Sequence, residues 1–528
     1  MFPRLFGVVN AAGTGAEAVS RYNARIMNRW KRGFWPWLWV WCGTFVFVPG
    51  AVAEEEDPAF EAAVSLLRRC VSGDEEGQGL ILAIRRMRDP SLEPLFRKML
   101  AMPDPNMKGH GLLGLVEVGL EKELTVEQVA AIRDPLIQLQ VLSAAVADEL
   151  LGDEQAQQFM ASPEIFPSAK LSVATQLLQH RKGIDLTHAR RALETDKLRQ
   201  LAMALMVLVQ SGDEAAAAQL VEFRKRDDKS LDPTCALVLD TATKCHFDRI
   251  GPWAMQIVAE KDVERNLQAV ALRTALRLKT PGAADDWRRR FVKEVNLAQQ
   301  LRLALAAMYA APWVDASLFS PMLGSSYDLI QQLGFCGQAV ARQENISEVM
   351  VDLIRMNNSA ANRWAASYAS QQAADQDARA IWLALIQAVE EGARQDRLSR
   401  LDLAILSTRS LHQDHTEASV DPLRAILTDP KSDPILVQGV LMGLLSSTKS
   451  AGEIVADLPP FEPRTVEAIA LLVAAKGGRQ LAGDQLKELG MMVRGGGRLK
   501  ATVRVQAGWA YLKMAEAHLE ALKTVLEL

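Results

Sequence analysis

The sequence predicts an all-α chain: antiparallel helix pairs stacked into an α-α superhelix. Three observations predict it. A helix–break–helix design spanning Leu92 to Gly119 returns between Val420 and Leu445. A Gly-Asp-Glu turn recurs at Gly73-Asp74-Glu75, Gly152-Asp153-Glu154 and Gly212-Asp213-Glu214, each time between amphipathic stretches. No stretch sustains the alternation of a half-buried strand.

In the first unit a helix is expected over Leu92–Ala101, a break at Pro103-Asp104-Pro105, and a second helix over Met107–Val118. Both units carry Pro-Leu early in the first helix, Pro94-Leu95 and Pro422-Leu423. Both carry Asp-Pro in the break, Asp104-Pro105 and Asp433-Pro434, followed by a glycine-spaced apolar helix. Aspartate caps the helix and proline is pre-set for its first turn. This design resembles the HEAT repeat, and the resemblance implies a HEAT-like helical-repeat solenoid. The family often has a basic residue early in its second helix; Lys108 fits and Val437 departs. Tetratricopeptide repeats have a similar period, but their Trp…Gly…Tyr…Ala…Pro pattern is not seen.

From the N-terminal side, Asp57–Cys70 reads as the first helix of the body. In the Gly-Asp-Glu turns glycine suits the left-handed position after a helix, and aspartate caps the next one. Helix starts are expected near Asp104, Asp134, Ser168, Asp196, Asp232, Arg265 and Asn296, then near Asn358, Arg397, Asp433, Pro463 and Leu499. Spacings of roughly 30 to 40 residues suit helix-pair repeats. Leu198–Val209 is apolar nearly all round, as in a helix between two neighbours. Trp287, Trp313, Trp364, Trp382 and Trp509 fall where repeats pack. The pattern is interrupted between Ala311 and Tyr327 by Pro312, Pro321 and Gly324-Ser325-Ser326, which reads either as a hinge or as a longer loop. It divides the body into helical-repeat segments 54–311 and 325–528.

The first 53 residues read differently. Arg29, Lys31 and Arg32 precede an uncharged apolar run, Gly33–Val48, then Pro49-Gly50, Ala51-Val52-Ala53 and an acidic start at Glu54. That layout fits a signal peptide over residues 27–53, cleaved after Ala53. The same run is long enough to remain as an uncleaved membrane anchor. Met27 is an alternative start, with residues 1–26 an unstructured or mis-assigned extension. The expected location is therefore periplasmic or extracellular, with a membrane-anchored form possible, the membrane being reached only through the leader.

The chain has 528 residues, 49% hydrophobic and 23% charged, enough to bury a large core. Residues 1–53 hold six basic side chains and one acidic one; without them 54 basic groups face 63 acidic ones, a net charge of −9. A body that acidic is not built for nucleic acid, which needs a basic face. Cys70, Cys235, Cys245 and Cys336 show no CxxC spacing. Cys235 and Cys245 on one helix would stand about 15 Å apart, beyond disulfide reach, so free thiols are expected.

His412, Asp414 and His415 put two imidazoles and a carboxylate within four residues, as metal sites do, but LHQDHTEAS reads as a solvated inter-helix loop and no third, distant ligand can be named. Arg494-Gly495-Gly496-Gly497-Arg498 lacks the Lys-Ser/Thr of a phosphate loop. Arg224-Lys225-Arg226 and Arg288-Arg289-Arg290 read as solvated faces. Asn345 and Asn357 open glycosylation sequons. No catalytic, cofactor or metal residue is assigned. The leading expectation is an exported scaffold, without catalysis, whose helical surface binds a protein or peptide. The alternative is a secreted enzyme of the α/α-toroid kind acting on polysaccharide, and a third reading is a lyase-like HEAT protein acting on a chromophore. An open superhelix would favour the scaffold, and a closed ring with clustered acids the enzyme.

Overall fold

The computed structural model describes residues 57–514, less residues 72–74, 122–123, 148, 181, 226–230, 261, 392–396, 457, 459, 463, 479–480, 482 and 496–498. The leader, the Ser72–Asp74 turn, Arg226, Pro463 and Gly496–Arg498 lie outside the described residues.

Among the described residues the chain is all-α, with no strand. Its helices are α1 (Pro58–Cys70), α2 (Glu75–Arg85), α3 (Glu93–Ala101), α4 (Pro105–Glu117), α5 (Val126–Ala130), α6 (Pro135–Ala147), α7 (Asp153–Ala161), α8 (Pro167–Gln179) and α9 (Thr187–Arg191). They continue as α10 (Leu198–Gln210), α11 (Glu214–Arg224), α12 (Leu231–Cys245), α13 (Gly251–Ala259), α14 (Arg265–Arg277), α15 (Ala283–Lys293), α16 (Leu297–Met308), α17 (Ser320–Leu323) and α18 (Asp328–Arg342). The last are α19 (Ile346–Arg355), α20 (Ser359–Gln371), α21 (Asp375–Glu391), α22 (Arg397–Asp414), α23 (Thr416–Thr428), α24 (Pro434–Ser446), α25 (Arg464–Lys476), α26 (Gly483–Val493) and α27 (Ala501–Met514).

Side-chain caps start many of these helices at the expected places. Asp104 accepts from the Met107 amide at 2.8 Å, Asp134 from Leu136 at 2.7 Å, Asn296 from Gln299 at 3.2 Å and Asp433 from Ile435 at 2.7 Å. Each satisfies an amide that the helix leaves without a partner. α8, α10 and α14 start without a side-chain cap.

The helix ends carry a more regular signal. The amides of Leu120, Leu150, Lys182, Asp213, Phe247 and Thr280 each bond back five residues, to the carbonyls of Leu115, Ala145, Leu177, Leu208, Ala242 and Ala275, at 2.8 to 3.0 Å. These acceptors are 30, 32, 31, 34 and 33 residues apart. This is the Schellman closure, whose penultimate residue is left-handed. That residue is Gly119, Glu149, Gly212, His246 or Lys279, with φ between 54° and 96°. Two of the five are glycine, so the repeat is a backbone pattern more than a residue pattern. At Gly212 and Asp213 the Gly-Asp-Glu turn has the expected geometry. Its counterpart at Gly152 does not: Gly152 has φ −69°, and Asp153 is already helical, facing His180 at 2.7 Å and Lys182 at 3.3 Å. The left-handed turn there has moved three residues upstream, to Glu149.

The next closure would pair the amide of residue 312 with the carbonyl of Ala307. Residue 312 is proline and has no N–H. The chain instead makes 3-10 turns at Ala311–Trp313 and Ala316–Phe319, then α17. The closure returns at Glu344, bonded to Ala339, 64 residues beyond Ala275 and thus two periods on. The interruption is not an open loop: Leu318, Phe319 and Met322 are buried, and Phe319 lies where only Gly337 of α18 lets it approach.

Successive even-numbered helices pack on one another from α2 to α16. α16 packs on α18 and α20, α20 on α22, α22 on α24, α24 on α25 and α25 on α27. α27 then packs on α1 and α2, where the series began. The succession of neighbours therefore closes on itself. One apolar core runs through residues 112–474, and a second joins residues 59–118 to residues 468–512. Trp287, Trp364, Trp382 and Trp509 are buried between neighbours. Trp313 is half-buried.

Candidate cation-aromatic shelf and cavity

Where the period breaks, three successive packed elements line up their side chains. Asp240 lies on α12, Arg273 and Arg277 one turn apart on α14, and Tyr309 and Trp313 four residues apart after α16. Residues four apart on a helix share a face, which sets Arg273 and Arg277 side by side on α14. The Arg273 guanidinium pairs with Asp240 and sits 5.0 Å from the centre of the Tyr309 ring. The Arg277 guanidinium lies 3.6 Å from the centre of the Trp313 ring. His246, turned by its left-handed backbone at φ 55°, brings its ring to 5.9 Å from Trp313. Two rungs result: Asp240–Arg273–Tyr309, and His246–Arg277–Trp313.

The rungs differ in charge balance. Arg273 has its carboxylate. Arg277 makes no ion pair among the described residues, and its buried Nε has no hydrogen-bond partner. Burial, then the neighbouring Arg273, lower its pKa to about 10, while Asp240 opposes the shift. Burial also lowers the His246 pKa, with Arg277 adding to it. The imidazole beside Arg277 is therefore neutral, and the unmatched charge is that of the guanidinium. A guanidinium 3.6 Å from the centre of an indole ring is held by cation–π attraction, which leaves its N–H groups able to donate.

Beside this shelf lies a cavity of about 330 Å³. Leu276, Val314 and Trp313 supply apolar wall, and Lys279, Asp285 and Asp315 supply charge. Both carboxylates are engaged. Asp285 pairs with Arg288 at 3.2 Å, and Asp315 accepts from the Ser317 amide at 2.8 Å. The Ser317 hydroxyl, and after it that amide, hold the Asp315 carboxyl below its usual range. Lys279 is exposed at the rim.

The other residues singled out in the sequence are placed elsewhere. The His412 segment is not a loop: α22 extends through Asp414, and His415 precedes α23. His412 is fully buried, its ring nitrogens 2.9 Å from Ser419 Oγ and 3.0 Å from the Ser450 carbonyl. Burial lowers its pKa. Both nitrogens are committed to joining helices, which leaves no lone pair for a metal. Among the described residues no group of three or more His, Cys, Asp or Glu has a metal-binding arrangement. Gly495 has φ 93° and lies under Arg504. Arg224 is not a solvated charge: its side chain is 15% exposed and pairs with Asp232 and Glu260. Arg288, Arg289 and Arg290 pair with Asp285 and Asp286 along α15. Cys70, Cys235, Cys245 and Cys336 are free thiols whose pKa values burial raises.

The shelf was missed in the sequence because Arg277 reads as an ordinary surface arginine. The available signal was spacing: Arg273 to Arg277 and Tyr309 to Trp313 are both i, i+4 pairs, 36 residues apart. No protein-family model matches the chain, and no curated protein matches it. Among the described residues no helix is long and apolar enough to cross a membrane.

Proposed function

We propose that this chain is a HEAT-like helical-repeat scaffold, exported from the cytoplasm, that binds a protein or peptide partner without chemical turnover. One observation carries the reading: the period breaks at Pro312, and at the break stand an open cavity of about 330 Å³ and a half-buried tryptophan. That volume lies at the lower end of ligand sites and suits one or two side chains of a bound segment. The perturbed ionisable groups away from it, such as His412 and Lys476, are tied into joints between helices. Export rests on the leader's layout alone. The test is selection from a displayed peptide library, followed by calorimetry of the selected peptides. Ala284→Trp, which fills the cavity, should weaken binding about ten-fold or more, while Leu136→Ala on an exposed site should not change it. Equal binding to Ala284→Trp overturns the site.

The closed succession of helices favours a second reading, the α/α-toroid enzyme acting on polysaccharide. Trp313, Asp285 and Asp315 would then be platform and acids. Release of reducing ends from a polysaccharide panel, lost in Asp285→Asn or Asp315→Asn, would establish it in place of the scaffold.

A further inference from the structure

Arg277 is a half-buried charge that makes no ion pair among the described residues. A guanidinium taken out of water is costly unless paired. Its like on the preceding turn, Arg273, is paired with Asp240. The other arginines around the cavity are paired too, Arg288 with Asp285 and Arg290 with Asp286. Arg277 instead has an aromatic face at 3.6 Å, a neutral imidazole beyond it and a buried Nε without a partner. Lys279, two residues on, adds a second cation at the rim, and the rim carboxylates are already held by Arg288 and Ser317. The net unmatched charge beside the cavity is therefore positive, on a chain whose overall charge is −4.

Resting on the scaffold reading, we infer that Arg277, laid on Trp313, receives a carboxylate of the bound peptide, and that the apolar side chain next to that carboxylate enters the cavity. A guanidinium offers parallel N–H donors that match a carboxylate, and the contact with the Trp313 ring at 3.6 Å holds it in place before the ligand arrives. Leu276, Val314 and Trp313 give the neighbouring side chain an apolar wall. An acidic sugar presents a carboxylate as well, but its ring hydroxyls need free polar groups. Asp285 and Asp315 are engaged by Arg288 and Ser317, which leaves the Thr280 hydroxyl and Lys279 as the polar side chains at the cavity without a partner among the described residues, too few for the hydroxyls of a sugar ring.

The experiment uses fluorescent nonapeptides with one glutamate beside a leucine, each compared with its glutamine isostere, and each made with a free and an amidated C-terminus. Anisotropy with the purified chain should show the glutamate peptide binding about ten-fold more tightly than its isostere, as for a charge-assisted pair. Arg277→Gln should erase that difference and leave the glutamine peptide nearly unchanged. Lys279→Asn, at an exposed position with a left-handed backbone, should reduce the preference by about two- to three-fold. If C-terminal amidation, and not the glutamate, sets the preference, the carboxylate is the terminal one and the inference stands. Trp313→Phe, which keeps an aromatic face, should retain a part of the preference that Arg277→Gln lacks. Peptides bound tightly but without regard to the carboxylate overturn this inference and leave the scaffold in place. So does a preference that survives Arg277→Gln. Trigalacturonate displacing every peptide at lower concentration than the glutamate peptide itself overturns the peptide assignment.

Discussion

At the scale of single residues, most of the chemistry in this chain joins one helix to the next. Arg85 of α2 donates to both oxygens of Glu117 of α4, at 2.8 and 2.6 Å, and its Nη1 lies 3.4 Å from His110 Nδ1. All three are largely buried, and burial, then Arg85, lower the His110 pKa to about 4. The unfolded chain takes up this proton near pH 6.5 and the folded chain only near 4, so this stability is complete above pH 6.5 and is lost as pH falls towards 4. The wild type should lose about 2 kcal/mol through this group across that window. His110→Asn should flatten the slope of denaturant stability against pH there, whatever its cost at neutral pH. An unchanged slope would mean that His110 ionises freely in the fold. None of this cluster was legible: its members come from positions 85, 110 and 117, and only the packing of α2 on α4 brings them together. The sequence drew attention to Lys108 in α4, yet the histidine two residues on makes the contact. His412 was visible, but as a metal ligand in a loop, because a short polar run cannot reveal that its neighbours include Ser450.

At the scale of elements, the helix pairs were legible where proline, aspartate and glycine mark them. In α4 the glycines do what their spacing implies. A Cβ on Gly111 would stand 2.5 Å from the Phe96 carbonyl oxygen and 2.7 Å from the Leu100 amide of α3. Gly111→Ala must push backbone from backbone, and a loss of about 1–3 kcal/mol in chemical denaturation is expected. The second unit uses the same spacing against a different neighbour: Gly439 and Gly443 of α24 meet Ala404 and Thr408 of α22, not the paired helix α23. Two units that read alike thus place their small residues on different interfaces. The Schellman closures were only partly legible, since glycine marks Gly119 and Gly212 but Glu149, His246 and Lys279 occupy the same left-handed position. That difference makes a prediction. Glu149 is exposed at φ 56°, so Glu149→Gly should stabilise the chain by about 0.5–1 kcal/mol, as relief of a non-glycine left-handed residue requires. Gly212→Ala should cost about 1 kcal/mol for the converse reason. Opposite signs in the two melting shifts are the check.

At the scale of the whole molecule, the ends of the series meet, a feature that no local pattern encodes. The joint is polar as well as apolar. Lys476 donates to the carbonyls of Met87 at 2.5 Å and Leu445 at 2.6 Å, and also to that of Ser447. Gln506 donates to the Ala83 carbonyl at 2.7 Å, Trp509 to Ser91 Oγ at 3.3 Å, and Lys513 pairs with Asp89 at 3.2 Å. Burial, with Lys513, Arg88 and Arg409 adding to it and Asp89 opposing, lowers the Lys476 pKa from 10.5 to about 7. The folded chain releases this proton before the unfolded one does, so stability should rise as pH increases above 7. Between pH 7 and about 8.5, below the range of free thiols, Lys476→Met should lose that rise. It should also be less stable throughout, having left three carbonyls without their donor. A melting temperature that climbs with pH equally in both proteins would remove Lys476 as its source. The closure itself has a sharper test. In an open stack each repeat is stabilised only by its neighbours along the chain, so damage to α27 would stay near the C-terminal end. Here α27 packs on α1 and α2, and Trp509 is fully buried in the core that also holds Leu67, Leu80 and Ile84. Trp509→Ala should cost about 3–5 kcal/mol of local stability. Its amide exchange should speed up in α25 to α27 and equally in α1 and α2, more than 400 residues earlier, while α10 to α14 on the far side of the circuit keep their protection. Faster exchange confined to residues after 464 would mean that the two ends are not joined in solution.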